Sequence, residues 1–221
     1  MKITLIRTAR PNHDAPLRCS SAAFNETAAA YEHSGILPYT GRIFETSGRI
    51  IYCGTQERYR QTAEALFGIG TDRHHASDQI FFTRFLDEVP MRAFRETERE
   101  LPLSVWKTMA RLQWLAGDPR QPETRSQSIQ MAVQFIDELL QKHVNCILIS
   151  DERRINLLVR ELRNRRFRIK RGGFCRIDYL DRIVATDNEP HCGGCMHDCP
   201  LTNPGCMIGR DKAAKAGLTH R

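Results

Sequence analysis

The apolar positions of this chain alternate between two rhythms, short unbroken runs and stripes at helical spacing. Lys2–Arg7 is a short apolar run, the pattern of a strand buried on both faces of a sheet. It breaks into a polar loop with Pro11, Asn12 and Asp14. Phe24, Ala28 and Tyr31 then recur at helical spacing, ending near Gly35. A second strand is predicted over Arg49–Tyr52, followed by Cys53-Gly54-Thr55 and a helix marked by Tyr59, Ala63, Leu66 and Phe67. Gln79–Phe85 reads as a further strand leading into Asp87-Glu88-Val89-Pro90. Val105, Met109, Leu112 and Ala116 line a helix that stops at Gly117-Asp118-Pro119. Ile129, Val133, Ile136 and Leu140 give the clearest amphipathic helix. It feeds the strand Cys146–Ile149, and Ile155, Leu158, Val159 and Leu162 begin a helix at once. Ile177–Val184 reads as a last edge strand.

This alternation predicts an α/β fold, three layers α/β/α around a mostly parallel central sheet. Ligands of such sheets bind at the carboxyl edge of the strands, which is where Arg7 and Thr8 fall. Character changes near residue 188, so residues 1–187 are expected to form one domain and residues 188–221 a Cys-rich appendage.

Composition adds little to this, at 41% hydrophobic and 27% charged. No apolar run approaches the roughly 20 residues that span a bilayer. The first residues lack the features of a secretory leader, so a cytoplasmic location is expected. The net charge of +7 is concentrated. Arg153–Arg171 holds nine Arg or Lys residues against the single acid Glu161. Such a segment can track nucleic-acid phosphates or an acidic protein face, but no aromatic platform or reader motif accompanies it. A solvated helix end and edge strand is the preferred reading.

Of eight cysteines, Cys19, Cys53, Cys146 and Cys175 are scattered and read as small core residues. Cys192, Cys195, Cys199 and Cys206 are crowded with the spacing C-x2-C-x3-C-x6-C. Four thiolates in one short loop signal a metal site. The spacing resembles the structural-zinc lobe of alcohol dehydrogenases and, with Pro200 after Cys199, part of a ferredoxin pattern. Zinc is the first choice and a [4Fe–4S] cluster the second. His191 and His197 are reserve ligands.

Several segments in order resemble the histidine phosphatase (phosphoglycerate mutase-like) superfamily. Leu5-Ile6-Arg7-Thr8-Ala9 is similar to its strand ending in Arg-His-Gly. The run Cys53 to Ala63 is similar to its Ser-Ser-Pro…Arg…Gln-Thr-Ala segment, and Ile147 to Glu152 stands where it has Ser-His-Gly. The resemblance implies that Arg7 and Arg58 hold phosphate and that Glu88 stands at the proton donor's position. It also implies that both pocket histidines are replaced, the nucleophile by Thr8 and its companion by Asp151. A threonine hydroxyl needs an adjacent base that an ordinary carboxylate does not supply. Asp151 would also repel a phosphate, by about 4 kcal/mol per charge pair at about 4 Å.

The expected function is therefore that of a pseudoenzyme, a catalytically inactive or nearly inactive relative that binds a phosphorylated small molecule or a protein partner. Two other readings stay open: an active phosphatase or phosphomutase with a substituted nucleophile, and an iron–sulfur protein using the domain as a docking scaffold. Cys53 and Arg58 also invite comparison with cysteine phosphatases, but four residues separate them where that loop has five. His13, in the first loop, could face the cleft or solvent.

Overall fold

The computed structural model describes residues 1–39, 50–67, 79–171, 182–187, 201 and 207–217. In chain order its elements are β1 (Lys2–Arg7), β2 (Arg18–Cys19), α1 (Ser21–Glu32), β3 (Ile50–Cys53), α2 (Glu57–Phe67) and β4 (Gln79–Phe82). A single 3-10 turn (Arg84–Leu86) precedes β5 (Leu101–Pro102), α3 (Leu103–Ala116), α4 (Arg125–Lys142), β6 (Cys146–Ser150) and α5 (Glu152–Asn164). The remaining elements are β7 (Arg168–Arg171), β8 (Arg182–Thr186) and α6 (Met207–Lys215).

The six-stranded sheet has the order β4-β3-β6-β1-β8-β7. The pairs β4/β3, β3/β6 and β6/β1 are parallel, while β8 runs antiparallel to both β1 and β7. Strand period separates the two faces. Ile3, Leu5, Cys146, Leu148 and Tyr52 pack with Phe135, Ile136 and Leu139 of α4 and with Ile155, Leu158 and Leu162 of α5. Their neighbours Ile6, Ile51, Cys53, Ile147 and Ile149 pack on the other face with Tyr59, Ala63, Leu66 and Phe67 of α2. The protein is thus an α/β fold with helices on both faces of a mostly parallel sheet. Among the described residues no helix is long and apolar enough to cross a membrane.

Four expectations are corrected. The strand expected over Gln79–Phe85 stops at Phe82. There the Thr83 amide bonds Cys53 O, and the Thr83 hydroxyl accepts from Phe85 N, winding the chain into the 3-10 turn. The last strand is not an edge: β8 lies between β1 and β7, and residues 177–181 of the expected strand lie outside the described residues. The buried stripe of α3 is Trp106, Ala110 and Trp114, with Val105 and Leu112 turned to solvent. The two indoles are the largest apolar side chains of the helix. Each also finds a partner for its N–H, Trp106 at Cys19 O (2.9 Å) and Trp114 at Ser128 Oγ (3.0 Å). On α4 the stripe is likewise turned by one residue, to Ser128, Ala132, Phe135 and Leu139 beside Ile136.

Candidate functional site

The carboxyl ends of β1, β3 and β6 open onto one edge of the sheet. Arg7 pairs in register with Ser150, so Thr8 at the end of β1 stands beside Asp151 at the end of β6. The loop after β1 is fixed to α2, because Thr62 Oγ1 accepts from Ala9 N (3.2 Å) while donating to Arg58 O (2.6 Å). The loop that carries Glu88 is held at several points. Ser150 Oγ donates to Leu86 O (2.6 Å), and Asp87 accepts from Thr55 N (2.5 Å) and Thr55 Oγ1 (2.7 Å). This approach needs Gly54, where an added Cβ would lie 2.4 Å from the Tyr59 ring and 2.8 Å from Asp87 Oδ1.

Between these loops lies a cleft of about 400 Å³. Its floor and walls include Arg7, Thr8, His13, Tyr31, Glu88 and Asp151, and Arg10, Glu152 and Arg153 stand on it too. Three cationic and three acidic side chains face one volume. Arg7 meets Glu152 at 3.1 Å, a partly exposed pair of the kind that contributes little and exchanges readily. Asp151 is the N-cap of α5 and accepts from Arg153 N (3.1 Å) and Arg154 N (3.0 Å). The positive end of that helix, a ready anion site in general, is here met by the chain's own carboxylate.

Arg58 stands behind the cleft rather than on it, 1% exposed. Its guanidinium lies 4.6 Å and 4.9 Å from the ring centres of Tyr31 and Tyr59. It donates to Tyr31 O (2.9 Å), Tyr59 Oη (3.1 Å) and Glu88 Oε2 (2.6 Å). The structure thus brings Arg7, Thr8, Glu88 and Asp151 together and reaches Arg58 through Glu88 and Tyr31. Burial pushes the Glu88 carboxyl up to about 7, with Asp151 adding to the rise and Arg58 and Arg153 opposing it. Burial also raises Asp151, against its two backbone N–H donors and the nearby arginines.

Two buried nitrogens of this site, His13 Nε2 and Arg153 Nη1, make no hydrogen bond among the described residues. The His13 ring packs edge-on against Tyr31, 5.6 Å between centres. Arg153 belongs to the basic segment, and nothing in its sequence neighbourhood separates it from the exposed Arg160, Arg163 and Arg168. Its only available signal is its place three residues past the end of an apolar strand. Arg154, from the same segment, is buried and binds both oxygens of Glu123 at 3.1 Å. Cys53 is fully buried, its thiol on Phe81 O at 3.9 Å and pushed up to about 12 by burial, so it stays a protonated core residue. Cys192, Cys195, Cys199 and Cys206 lie outside the described residues, as do His191 and His197. Among the described residues no cluster of His, Cys, Asp and Glu could hold a metal ion.

No family model matches the chain, and no curated protein matches it. Solved structures of similar arrangement include a mutant phosphoserine phosphatase from Entamoeba histolytica in complex with phosphoserine. It is 15% identical, with a TM-score of 0.42 over 74% of this chain and 80% of that one. Another is the alpha-ribazole phosphatase from Shigella flexneri, 18% identical, with a TM-score of 0.44 over 73% of this chain and 79% of that one. At this level the likeness is one of α/β layering.

Proposed function

We propose that this chain is a degenerate histidine phosphatase-like protein that binds a small phosphorylated ligand at the carboxyl edge of its sheet without turning it over. One observation carries the reading. The cleft is lined by Arg7, His13 and Arg153 together with Thr8 and Asp151, and His13 Nε2 and Arg153 Nη1 are buried with no hydrogen bond among the described residues. Donors for an anion are present, and an imidazole at the position of Thr8 or Asp151 is not. Asp151 is committed to capping α5 and Glu88 to Arg58, so neither is poised to take the Thr8 proton. Arg58 supports the site through Glu88.

A second reading has its own observation. His13 lines the cleft, and a histidine nitrogen attacks phosphorus without help from a base. With a carboxyl near 7, Glu88 could supply a proton to a leaving alcohol, which would make the chain a phosphoric-ester hydrolase with a relocated nucleophile. Incubation with a labelled aryl phosphate separates the two readings. Saturable binding of inorganic phosphate with no turnover and no acid-labile adduct is the expected result. An adduct on His13 would transfer the case to the second reading, and absence of any anion binding would end both.

The four-cysteine tail, by its spacing, is proposed to clamp structural zinc, with a [4Fe–4S] cluster as the alternative. Metal analysis and visible absorbance near 400 nm of freshly purified protein distinguish them.

A further inference from the structure

Beside the charged cleft lies a second cavity of about 170 Å³, and the two share Tyr31, Glu88 and Arg153 as walls. Its character is different. Half of its lining is apolar, from Phe24, Ala28, Val89, Pro90 and Met91, with Phe24 and Val89 buried in the protein, and Glu32 and Lys107 stand at it beyond the shared wall. The polar groups closest to the charged cleft are those of the shared wall. We propose that the two cavities are one bipartite site, and that the ligand is a phosphomonoester whose alcohol part is a single compact ring.

This inference rests on the anion-binding reading above and adds the class of ligand. Size decides the ring. An apolar cavity of about 150 Å³ holds a benzene-sized molecule, so about 170 Å³ takes one ring and not a nucleoside or an acyl chain. The larger cavity, at about 400 Å³, has ample room for a phosphoryl group with bound water. The two together fall in the volume range of small-molecule sites, one part charged and the other largely apolar. Arg153 sits at the junction and orients the ligand, since its unpartnered Nη1 can donate to the phosphoryl group while its stem borders the ring. Val89-Pro90, directly after Glu88, makes the apolar wall rigid, because proline fixes its backbone φ.

Phosphonates test this whether or not the chain has hydrolytic activity, because their carbon–phosphorus bond is not cleaved. Inorganic phosphate, methylphosphonate and phenylphosphonate would be titrated by calorimetry against the intact chain. Phenylphosphonate is expected to bind at least about tenfold tighter than methylphosphonate, and methylphosphonate about as well as phosphate. Ala28→Phe fills the second cavity and should erase the tenfold gain while leaving phosphate affinity unchanged. Met91→Asn, polar but uncharged and at a half-buried loop position, should do the same if the first variant folds poorly. Equal affinity for the two phosphonates, with phosphate still bound, would overturn the bipartite site and spare the anion reading. No binding of phosphate would overturn both.

Discussion

Arg58 and Arg154 are both about 1% exposed and both meet a glutamate, yet the two pairs are built differently. Arg154 is complete. Its two terminal nitrogens take both oxygens of Glu123 at 3.1 Å, its Nε donates to Asp87 O at 3.1 Å, and Ser128 donates to the same glutamate. Arg58 is incomplete. It holds Glu88 by one contact of 2.6 Å, and its buried Nε has no hydrogen bond among the described residues. The carboxyl it holds opens onto a cleft and is pushed up to about 7. A fully satisfied buried pair fixes the fold, here tying α4 and α5 to the loop that carries Glu88. A half-satisfied one beside a cavity keeps its charge state adjustable.

The largest expected effect tests that distinction directly. Arg154→Leu strands Glu123 inside a set of groups built around the pair, and should cost about 3–5 kcal/mol in urea unfolding. Arg58→Leu at pH 6 should cost less, about 2 kcal/mol, because the abandoned Glu88 can take up a proton instead of staying charged. Equal losses at pH 6 would erase the difference between the two pairs.

The next effect lies in pH. The Glu88 carboxyl is raised from 4.5 to about 7 in the folded chain, so between those values the folded state binds more protons than the unfolded one. Its contribution to stability is therefore complete below about 4.5 and is lost as pH rises through about 7. Asp151, also raised, acts in the same sense. The loss is at most on the order of 3 kcal/mol. Glu57 and Asp118, which are lowered by arginine partners, titrate below this window. Glu88→Gln should flatten the slope between pH 4.5 and 7. An unchanged slope in that variant would place the titrating group elsewhere.

The fold was legible in the chain because each central strand is an unbroken apolar run that can satisfy only a sheet covered on both faces. The face of α3 was not legible, because aliphatic and indole stripes compete on one helix and only the packing with Cys19 and Ser128 decides between them. At the site, Arg7, Thr8 and Asp151 could be placed because parallel register carries adjacent strand ends to one edge. The inward turn of Arg58 could not be placed, because it depends on Tyr31 and Tyr59, which sequence periodicity marks only as helix positions. Arg153 and Arg154 were lost in a run of like charges whose members differ only in burial.

The smallest effect bears on whether the cleft is an anion site held down by its own carboxylates. Asp151 faces the cleft and caps α5, so replacing it risks confusing lost structure with changed binding. Asn avoids this, since it caps a helix about as well as Asp and should alter stability by only a few tenths of a kcal/mol. Sulfate is the cleaner probe because its own charge does not change near neutral pH. Removing one negative charge from the cleft should raise sulfate affinity about tenfold at pH 8, or about 1.4 kcal/mol. The gain should shrink on acidification toward pH 5, because burial raises Asp151 and a protonated Asp151 leaves no charge for the variant to remove. Arg153→Ala should move affinity the other way at both pH values. A titration in which Asp151→Asn changes nothing at pH 8 would mean that the arginines of the cleft answer to their glutamates alone, and the site would be a closed ion network.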